Sequence, residues 1–450
     1  MVRQCIAVAL SCLAFATPAV AGTKVVVNDA GILVIDGKPV FPISFTMPPP
    51  PDGKTPDGGD AFAEIAAAGA TFLRTGPWGH NWDDATWDRE RRWLDAAAKH
   101  GLYCMPNLRE SAAVPPGEKG REREALLRKL VNAFKDHPGL GAWKSVDEPD
   151  WGKVPVEDMR RATRIIRELD PNHPIWVVQA PRGTIESMRA YDDTYDITGV
   201  DIYPIGYPPG THSLLPNKEI SMVGDYTRMM REVAGQKPVW MVLQASWSGV
   251  LKPGRTLRMP TFPEQRFMTY QAIINGARGV KYFGISNKMA MSPADAELGW
   301  NWTHWRRVLR PVIEEIGSHS PLYPALLAPE SPITLRVSPA PVQTFARAGS
   351  EAATTAPAIG AAATSDGPPT PNVVANVEWC VREVGDHVFV LVCKREGATV
   401  NVQFDGLPKE LTDGEVMFES PRRARAENGR FTDWFAPFEV HVYRFRSTKS

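Results

Sequence analysis

The sequence alternates eight times between a short apolar run and a longer amphipathic segment, and this pattern restricts the chain to very few folds. The apolar runs begin near residues 41, 71, 103, 140, 174, 197, 238 and 279. Near-continuous apolar strands separated by helices predict a parallel sheet that is covered on both faces. Eight such units over roughly 275 residues match the count and size of a (β/α)8 barrel. A doubly wound open sheet is the competing fold, but it needs a glycine-rich turn after its first strand. The stretch "TMPPPPDGKTPDGGD" at 46–60 is not such a turn.

The segments on either side of the barrel have different patterns. Residues 1–21 combine a basic start, a short apolar run and an Ala-Val-Ala end, as in a cleaved secretory signal peptide, so we expect an exported protein, periplasmic or extracellular. Residues 22–40 predict a β-hairpin, and 41–330 the barrel. Short strand-like runs over 331–450 predict a small antiparallel, sandwich-like β-domain. Within it, 346–372 is low in complexity and is expected to be a loop.

Charge and cysteine usage argue against several classes of protein. Lys+Arg and Asp+Glu both number 51, so no charge excess favours nucleic acid as a partner, and no segment after the signal predicts a membrane span. Cys104, Cys380 and Cys393 remain in the mature chain, and this odd number argues against a disulfide framework. A turn at 385–386 would not place Cys380 directly opposite Cys393. The absence of CxxC, HExxH and EF-hand patterns predicts no metal site and no cofactor, while the oligomeric state stays open.

Polar residues at the ends of the apolar runs are the candidates for chemistry, because barrel active sites lie at the C-terminal ends of the strands. Asp147 and Glu148 stand out in "GAWKSVDEPDWG" at 141–152. Two carboxylates at the end of a buried strand are costly to desolvate unless the site uses or pairs them. The competing interpretation is that Asp147 caps the helix after Pro149. The other strand ends supply a further candidate for catalysis, Asp201, and candidates for substrate binding: Arg74, Trp78, His80, Asn107, Gln179, Tyr203, Gln244 and Trp247. Each of these also has a structural interpretation, as a rim ion pair, a loop hydrogen bond or a packing residue.

These features together resemble a known group of enzymes. A secreted barrel with Arg at the end of strand two, a W…(D/N)EP element at strand four and a C-terminal β-domain is similar to the glycoside hydrolases of clan A. The stretch "FKDHPGLGAWKSVDEP" at 134–149 carries most of this resemblance. It implies hydrolysis of O-glycosidic bonds in oligo- or polysaccharides, with Glu148 as the general acid/base and Asp147 in contact with the sugar. It also implies that Arg74 supports a strand-seven carboxylate and that Trp78, Trp247 and Trp300 stack on sugar faces.

The chain departs from this group at strand seven. There the clan places its nucleophilic Glu, and this chain has Gln244, whose neutral amide is a poor nucleophile. Retaining hydrolysis needs two carboxyl groups about 5 to 5.5 Å apart. The sequence thus lacks the second carboxyl group in its usual place.

Three readings remain open, with a lyase as a further possibility. In a substrate-assisted N-acetylhexosaminidase, Glu148 protonates the leaving oxygen and Asp147 orients the 2-acetamido group, whose oxygen attacks. In an inverting hydrolase, Asp201 activates water about 6.5 to 9.5 Å from the acid. In a non-catalytic barrel, the site holds sugars without cleaving them. A lyase would hold a uronate carboxylate with cations such as Arg74, Arg109 or Lys144. A hydrolase further predicts a raised pKa for Glu148, from an apolar wall that includes Trp143 or Tyr203.

Overall fold

A computed structural model describes residues 22–78, 82–206, 213–246, 258–286, 291–340, 373–374 and 376–447. The predicted signal segment 1–21 and the low-complexity loop 346–372 lie outside the described residues. Among the residues that are described, no helix is both long enough and apolar enough to cross a membrane.

The described chain begins with a small antiparallel sheet that closes one end of the barrel. It has three strands, one more than the predicted hairpin: β1 (Val25–Val27), β2 (Leu33–Ile35) and β3 (Lys38–Val40). Apolar side chains of β1 and β2 pack in one cluster with Trp176 and Trp240, which lie near the starts of their barrel strands. The sheet therefore covers the N-terminal end of the barrel and leaves the carboxyl ends of the strands for a site.

Eight parallel strands form the barrel. They are β4 (Ile43–Thr46), β5 (Phe72–Thr75), β6 (Tyr103–Pro106), β7 (Trp143–Asp147), β8 (Ile175–Gln179), β9 (Ile197–Ile202), β10 (Trp240–Gln244) and β11 (Gly279–Phe283). Their ladder runs β6-β5-β4-β11-β10-β9-β8-β7. Isolated parallel bridges, Cys104 with Leu140 and Asn107 with Lys144, join the two ends of this ladder. The barrel predicted from the eightfold alternation is confirmed.

Helices cover the outside of the barrel because their apolar faces match the outward side of each strand. They are α1 (Ala61–Ala67), α2 (Asp84–Lys99), α3 (Glu118–Phe134), α4 (Val156–Leu169), α5 (Ile185–Arg189), α6 (Met222–Ala234), α7 (Phe262–Ile274), α8 (Pro293–Glu297), α9 (Trp302–His304), α10 (Arg310–Ile316) and α11 (Tyr323–Leu327). A π-helical turn, Trp305–Leu309, joins α9 to α10. The caps follow sequence rules, since the Asp83 side chain accepts from the Thr86 amide at the start of α2.

The two faces of the barrel strands carry different side chains because residues alternate along a strand. Phe45, Leu73 and Tyr282 point outward and join the large core beneath the helices. Phe72, Met105 and their inward-facing neighbours fill the barrel interior. Polar and charged side chains replace apolar ones toward the carboxyl ends of the strands.

Two antiparallel sheets form the C-terminal domain. Their strands are β12 (Arg336–Pro339), β13 (Val373–Val374), β14 (Val377–Val384), β15 (His387–Lys394), β16 (Val400–Asp405), β17 (Asp413–Met417), β18 (Arg423–Arg425), β19 (Arg430–Phe435) and β20 (Val440–Arg446). The sheets run β12-β16-β19 and β13-β14-β15-β20-β17-β18 and enclose a second apolar core. Cys380 pairs in register with Leu391, and Cys393 with Glu378, so the two cysteines are not opposite each other and both thiols are free.

Candidate active site at the carboxyl end of the barrel

The end of β7 is irregular, and this irregularity aims its two carboxylates. Adjacent residues of a regular strand point to opposite faces. Here the ladder between β7 and β8 shifts register between Lys144 and Asp147, and Glu148 has a left-handed φ of 47°. Such a conformation costs a non-glycine residue roughly 1–2 kcal/mol. The Glu148 amide donates to the Val178 carbonyl oxygen at 3.0 Å, and its own carbonyl oxygen accepts from the Gly152 amide at 2.8 Å. These two hydrogen bonds hold the strained residue in place.

Asp147 forms an ion pair with a buried lysine and does not cap a helix. The Lys144 ammonium lies 3.0 Å from the Asp147 carboxylate, and the N-cap position of α4 is Pro155, with no side-chain capping hydrogen bond. Burial favours the neutral acid, but the positive charges of Lys144 and Arg74 prevail and hold the pKa of Asp147 below its usual range. The Asp147 side chain is 60% exposed, so it lines an open mouth in which water screens these charges. The helix-capping interpretation of Asp147 is therefore wrong.

Glu148 and Asp201 form a carboxyl pair at the ends of β7 and β9. Burial raises the pKa of Glu148, the Asp147 charge raises it further, and a hydrogen bond from Asp201 opposes this shift. Burial also raises the pKa of Asp201 well above its usual range, and the charges of Glu148 and Asp147 add to this effect. Both pKa values are raised, so the pair retains a proton to higher pH than two isolated carboxyl groups would. Two carboxyl groups in such contact cannot both be ionised at little cost.

An aromatic wall borders the pair. Tyr203 hydrogen-bonds Asp201, and its ring stacks on Phe283 with centroids 4.9 Å apart. Trp78 packs on the other side of Phe283 at 5.8 Å and lies 4.9 Å from the Arg74 guanidinium carbon. The wall accounts for the desolvation that raises the pKa of both carboxyl groups. Trp143, the other residue predicted for this role, instead donates its indole N–H to Asp170 at 2.7 Å in the outer core.

Three cationic side chains lie inside the upper barrel: Arg74, Lys144 and Lys281, which are 5%, 2% and 2% exposed. The Lys144 and Lys281 ammonium groups lie 5.3 Å and 4.1 Å from the ring of Trp176, so they converge on one aromatic face. Burial lowers the pKa of Lys281 well below its usual range, and the nearby Arg74 and Lys144 charges lower it further.

Gln244 and Gln179 are buried and form hydrogen bonds with the protein backbone. Both amide atoms of Gln244 bond the backbone of Ile205, with Nε2 donating at 2.8 Å and Oε1 accepting at 2.7 Å. Gln179 accepts a long hydrogen bond of 3.4 Å from the Asp150 amide, and its Nε2 has no partner among the described residues. Both side chains are 0% exposed. This placement gives no support to a direct sugar contact by either residue, and Gln244 instead anchors the loop after β9.

Two further candidates lie near the site but are almost fully buried. Asn107 is 1% exposed and donates to the Pro77 carbonyl oxygen at 3.3 Å, which joins the loops after β5 and β6. Trp300 is 0% exposed and donates to the Met47 carbonyl oxygen at 3.1 Å within an aromatic core, so it packs and does not stack on a ligand. His80 and Trp247 lie outside the described residues.

Sequence reasoning missed Lys281, Phe283 and Glu90. The first two had a signal, since alternation along "GVKYFGI" puts Lys281 and Phe283 on one strand face, opposite the outward Tyr282. Glu90 had none, because it lies in the middle of α2.

Glu90 is a buried carboxyl group behind the site. It accepts from the Thr75 hydroxyl at 2.5 Å and from the Gly76 amide at 2.7 Å, at the point where β5 ends after Arg74. Burial raises the pKa of Glu90 to about 7, although these two hydrogen bonds act to lower it. Gly76 has a φ of 84°, and a Cβ there would meet the Asn107 nitrogen at 2.7 Å. Glu90 therefore fixes a tight turn that positions Arg74.

No group of three or more His, Cys, Asp or Glu side chains suited to a metal ion occurs among the described residues. The chemistry that the described side chains can perform is proton transfer between carboxyl groups beside fixed cations.

No family model matches the chain, and no curated protein matches it. Solved structures do match. A protein described as a glycoside hydrolase is 13% identical, with 95% of this chain and 97% of that chain covered and a TM-score of 0.60. A family 5 glycoside hydrolase from Bacteroides vulgatus is 14% identical, with 95% and 94% covered and a TM-score of 0.58. An Anoxybacillus alpha-amylase is 10% identical, with 91% and 98% covered and a TM-score of 0.51. The chain therefore has the fold that the sequence predicted, a (β/α)8 barrel followed by an antiparallel β-domain, and it is similar in fold to these glycoside hydrolases.

Proposed function

We propose that this chain is an exported glycoside hydrolase that cleaves O-glycosidic bonds in oligo- or polysaccharides. One observation carries the proposal: the Glu148–Asp201 pair with raised pKa values beside the ionised Asp147. Carboxyl groups whose environments push their pKa values apart are the usual basis for assigning an acid and a base. The fold likeness to glycoside hydrolases agrees with this assignment but does not establish it.

In this proposal Glu148 is the general acid and Asp201 is its proton source. Asp201 donates to Glu148 before substrate binds. When the sugar excludes water from the mouth, the proton passes along this hydrogen bond, and Glu148 delivers it to the glycosidic oxygen. General acid catalysis of this kind contributes about 10²–10⁴-fold to a rate.

The positions of the carboxyl groups bear on which group attacks the anomeric carbon. Glu148 and Asp201 lie close enough for each to shift the pKa of the other, whereas an inverting pair needs about 6.5 to 9.5 Å between its carboxyl groups to admit water. The inverting reading therefore has no support. Asp147 is ionised and 60% exposed, and only one of its oxygens contacts Lys144. Its other oxygen has no partner among the described residues and could orient a 2-acetamido group, so the substrate-assisted reading fits better.

A non-catalytic sugar-binding barrel is the second candidate, and one observation favours it. The residue at the usual nucleophile position, Gln244, is fully occupied by the Ile205 backbone. A chain that had lost its nucleophile would retain the aromatic wall and bind sugars without cleaving them.

A hydrolysis screen with Glu148→Gln tests the proposal. The full chain would be assayed on aryl glycosides with and without a 2-acetamido group and on natural oligosaccharides. We expect activity that falls about 10²–10⁴-fold in Glu148→Gln, since the amide cannot donate an acid proton. Glu186→Gln, a change on the exposed part of α5, is the matched control and should retain full activity. Sugar binding with no cleavage, equal in wild type and Glu148→Gln, would establish the non-catalytic alternative.

The pH profile tests the role of Asp201. Hydrolysis needs the proton of the pair, so the rate should fall as pH rises through the raised pKa values. Asp201→Asn keeps a hydrogen bond to Glu148 but removes the proton source, so the alkaline limb should move to lower pH. A profile of kcat against pH that is unchanged in Asp201→Asn would mean that Asp201 only positions Glu148.

A further inference from the structure

Two of the three cations inside the upper barrel have no counter-charge in contact. Lys144 donates to the carbonyl oxygens of Ser145 and Val146 at 3.0 and 3.1 Å and pairs with Asp147. Among the described residues, Arg74 and Lys281 have neither a hydrogen bond nor an ion pair, and each has only an aromatic ring beside it. An unpaired charge that is 5% or 2% exposed costs several kcal/mol in the general case.

The charges of the mouth do not balance. Arg74, Lys144 and Lys281 supply three positive charges when all three are protonated. Asp147 supplies one negative charge, and the hydrogen-bonded pair of Glu148 and Asp201 shares a proton and supplies one more. One positive charge is left over.

The flanking charged groups leave this excess in place. Arg109 acts on Arg74 as a further positive charge, but it is paired with Glu110 at 3.1 Å. Glu90 is only partly ionised at neutral pH because its pKa is about 7, and its oxygens bond Thr75 and Gly76. The unbalanced charge therefore belongs to Arg74 and Lys281.

The geometry also connects these cations to the aromatic wall beside Glu148 and Asp201. Lys281 is two residues before Phe283 on the inward face of β11, and Phe283 stacks on Tyr203, the hydrogen-bond partner of Asp201. Arg74 lies against Trp78, which packs on the same Phe283. A guanidinium binds a carboxylate or sulfate through two parallel hydrogen bonds, and an ammonium adds a point charge.

We propose that Arg74 and Lys281 form an anion-binding subsite, and that the sugar recognised in the barrel mouth carries a carboxylate or sulfate group. The identity of the substrate rests on the proposed glycoside hydrolase function, whereas the anion subsite itself does not. The bound anion would supply the counter-charge that the described residues lack, and it would favour the charged form of Lys281.

Thermal unfolding of the full chain tests the subsite without any need for catalysis. The probes are sodium sulfate and sodium glucuronate against sodium chloride at equal ionic strength. We expect both to raise Tm in the wild type, since an anion that binds only the folded state stabilises it. The rise should be lost in Lys281→Met and in Arg74→Met. Any rise that persists in these variants is the general salting effect of sulfate.

Lys129→Met is the matched control for Lys281→Met. The Lys129 ammonium also lies over a tryptophan ring, 4.8 Å from Trp87, but on the exposed outer surface of α3. It should keep the wild-type response to both anions. An equal Tm in all three salts for the wild type, or an unchanged rise in Lys281→Met, would overturn the subsite.

Calorimetric titration separates the two sources of the anion. Methyl glucuronide and glucose 6-sulfate would be compared with methyl glucoside, with affinity for at least one anionic sugar expected to exceed that for the neutral one by about 10-fold or more. Preference for one of the two anionic sugars identifies the group. Anion binding without hydrolysis of any substrate would support the subsite and reject the proposed function. Hydrolysis of neutral sugars, with no rise in Tm and no binding of anionic sugars, would support the proposed function and reject the subsite.

Discussion

Buried charges are paired at the domain interface, whereas two buried cations in the barrel mouth are unpaired among the described residues. At the interface, Glu378 is 1% exposed and has a full set of partners. Its carboxylate accepts from Arg228 at 2.9 Å, Gln271 at 2.8 Å, Asn275 at 3.1 Å and Arg395 at 3.3 Å. In the mouth, Arg74 and Lys281 are almost as deeply buried and lack such partners among the described residues.

The difference distinguishes a buried charge that stabilises the fold from buried charges that we assign to ligand binding. The network around Glu378 joins α6 and α7 of the barrel to β14 and β15, so its ionic contacts are complete within the chain. A charge left unpaired in the interior lowers stability, and folded proteins retain such groups mainly where function requires them. Three substitutions test this comparison, from the largest expected effect to the smallest.

Glu378→Ala should lower the free energy of unfolding by about 3–5 kcal/mol, because it removes the shared acceptor of Arg228, Arg395, Gln271 and Asn275, and a hydrogen bond to a charged group contributes about 1.5–3 kcal/mol. Equilibrium urea unfolding measures this loss. Glu124→Ala removes the exposed partner of Arg128, which lies 2.9 Å away, and should change stability by less than about 1 kcal/mol. Equal effects of the two changes would mean that the interface network contributes no more than a surface ion pair. Glu378→Gln keeps hydrogen-bonding capacity, so its loss in free energy of unfolding should lie between those of Glu378→Ala and Glu124→Ala.

Glu90→Gln extends the comparison to a buried carboxyl group whose direct partners are neutral donors. The pKa of Glu90 is raised in the folded state to about 7 from an ordinary 4.5. The folded protein then binds more protons than the unfolded chain, so the stability of the wild type should fall as pH rises from about 4.5 through 7. Such a shift is worth about 3 kcal/mol once the group is ionised. Denaturant unfolding from pH 4 to 8 should show a flatter dependence in Glu90→Gln, and parallel curves would contradict the assignment.

Lys281→Met should raise stability, on the order of 2 kcal/mol at neutral pH, because an apolar chain of similar length replaces an unpaired ammonium over Trp176. The folded-state pKa of Lys281 is lowered, so the destabilisation by Lys281 is greatest at low pH and fades as pH rises toward the unfolded pKa of 10.5. Thermal unfolding at pH 7 and pH 10 should therefore show a smaller gain at the higher pH. A loss of stability at pH 7 would mean that Lys281 already has an effective counter-charge.

The fold could be predicted almost completely because its signals are local and repeated. Strand and helix positions follow from the alternation of apolar runs with amphipathic segments, and α2 begins at its Asp83 cap and ends before Gly101 as the pattern indicates. The small N-terminal sheet differed by one strand, Lys38–Val40, in which Pro39 argues against a strand in the sequence pattern.

The candidate site could be predicted only in part. Asp147, Glu148 and Arg74 were found because strand ends meet at one face of a barrel. Asp201 and Tyr203 were found in the same way, but their contacts were not. Gln244 was read as a sugar ligand because no local pattern reveals that its amide bonds the Ile205 backbone 39 residues away.

The sequence by itself determined which side chains would face the carboxyl end of the barrel, since periodicity and the parallel fold place them there. Only the tertiary structure decided which of those side chains would be paired. The proton shared by Glu148 and Asp201 depends on closure of the sheet, because β8 lies between their strands. Among the described residues, Lys281 has no carboxylate within ion-pair distance, and Asp147 of β7 acts on it only through its charge. Charge pairing and pKa depend on distances between residues far apart in the chain, and these distances are set by the closed barrel.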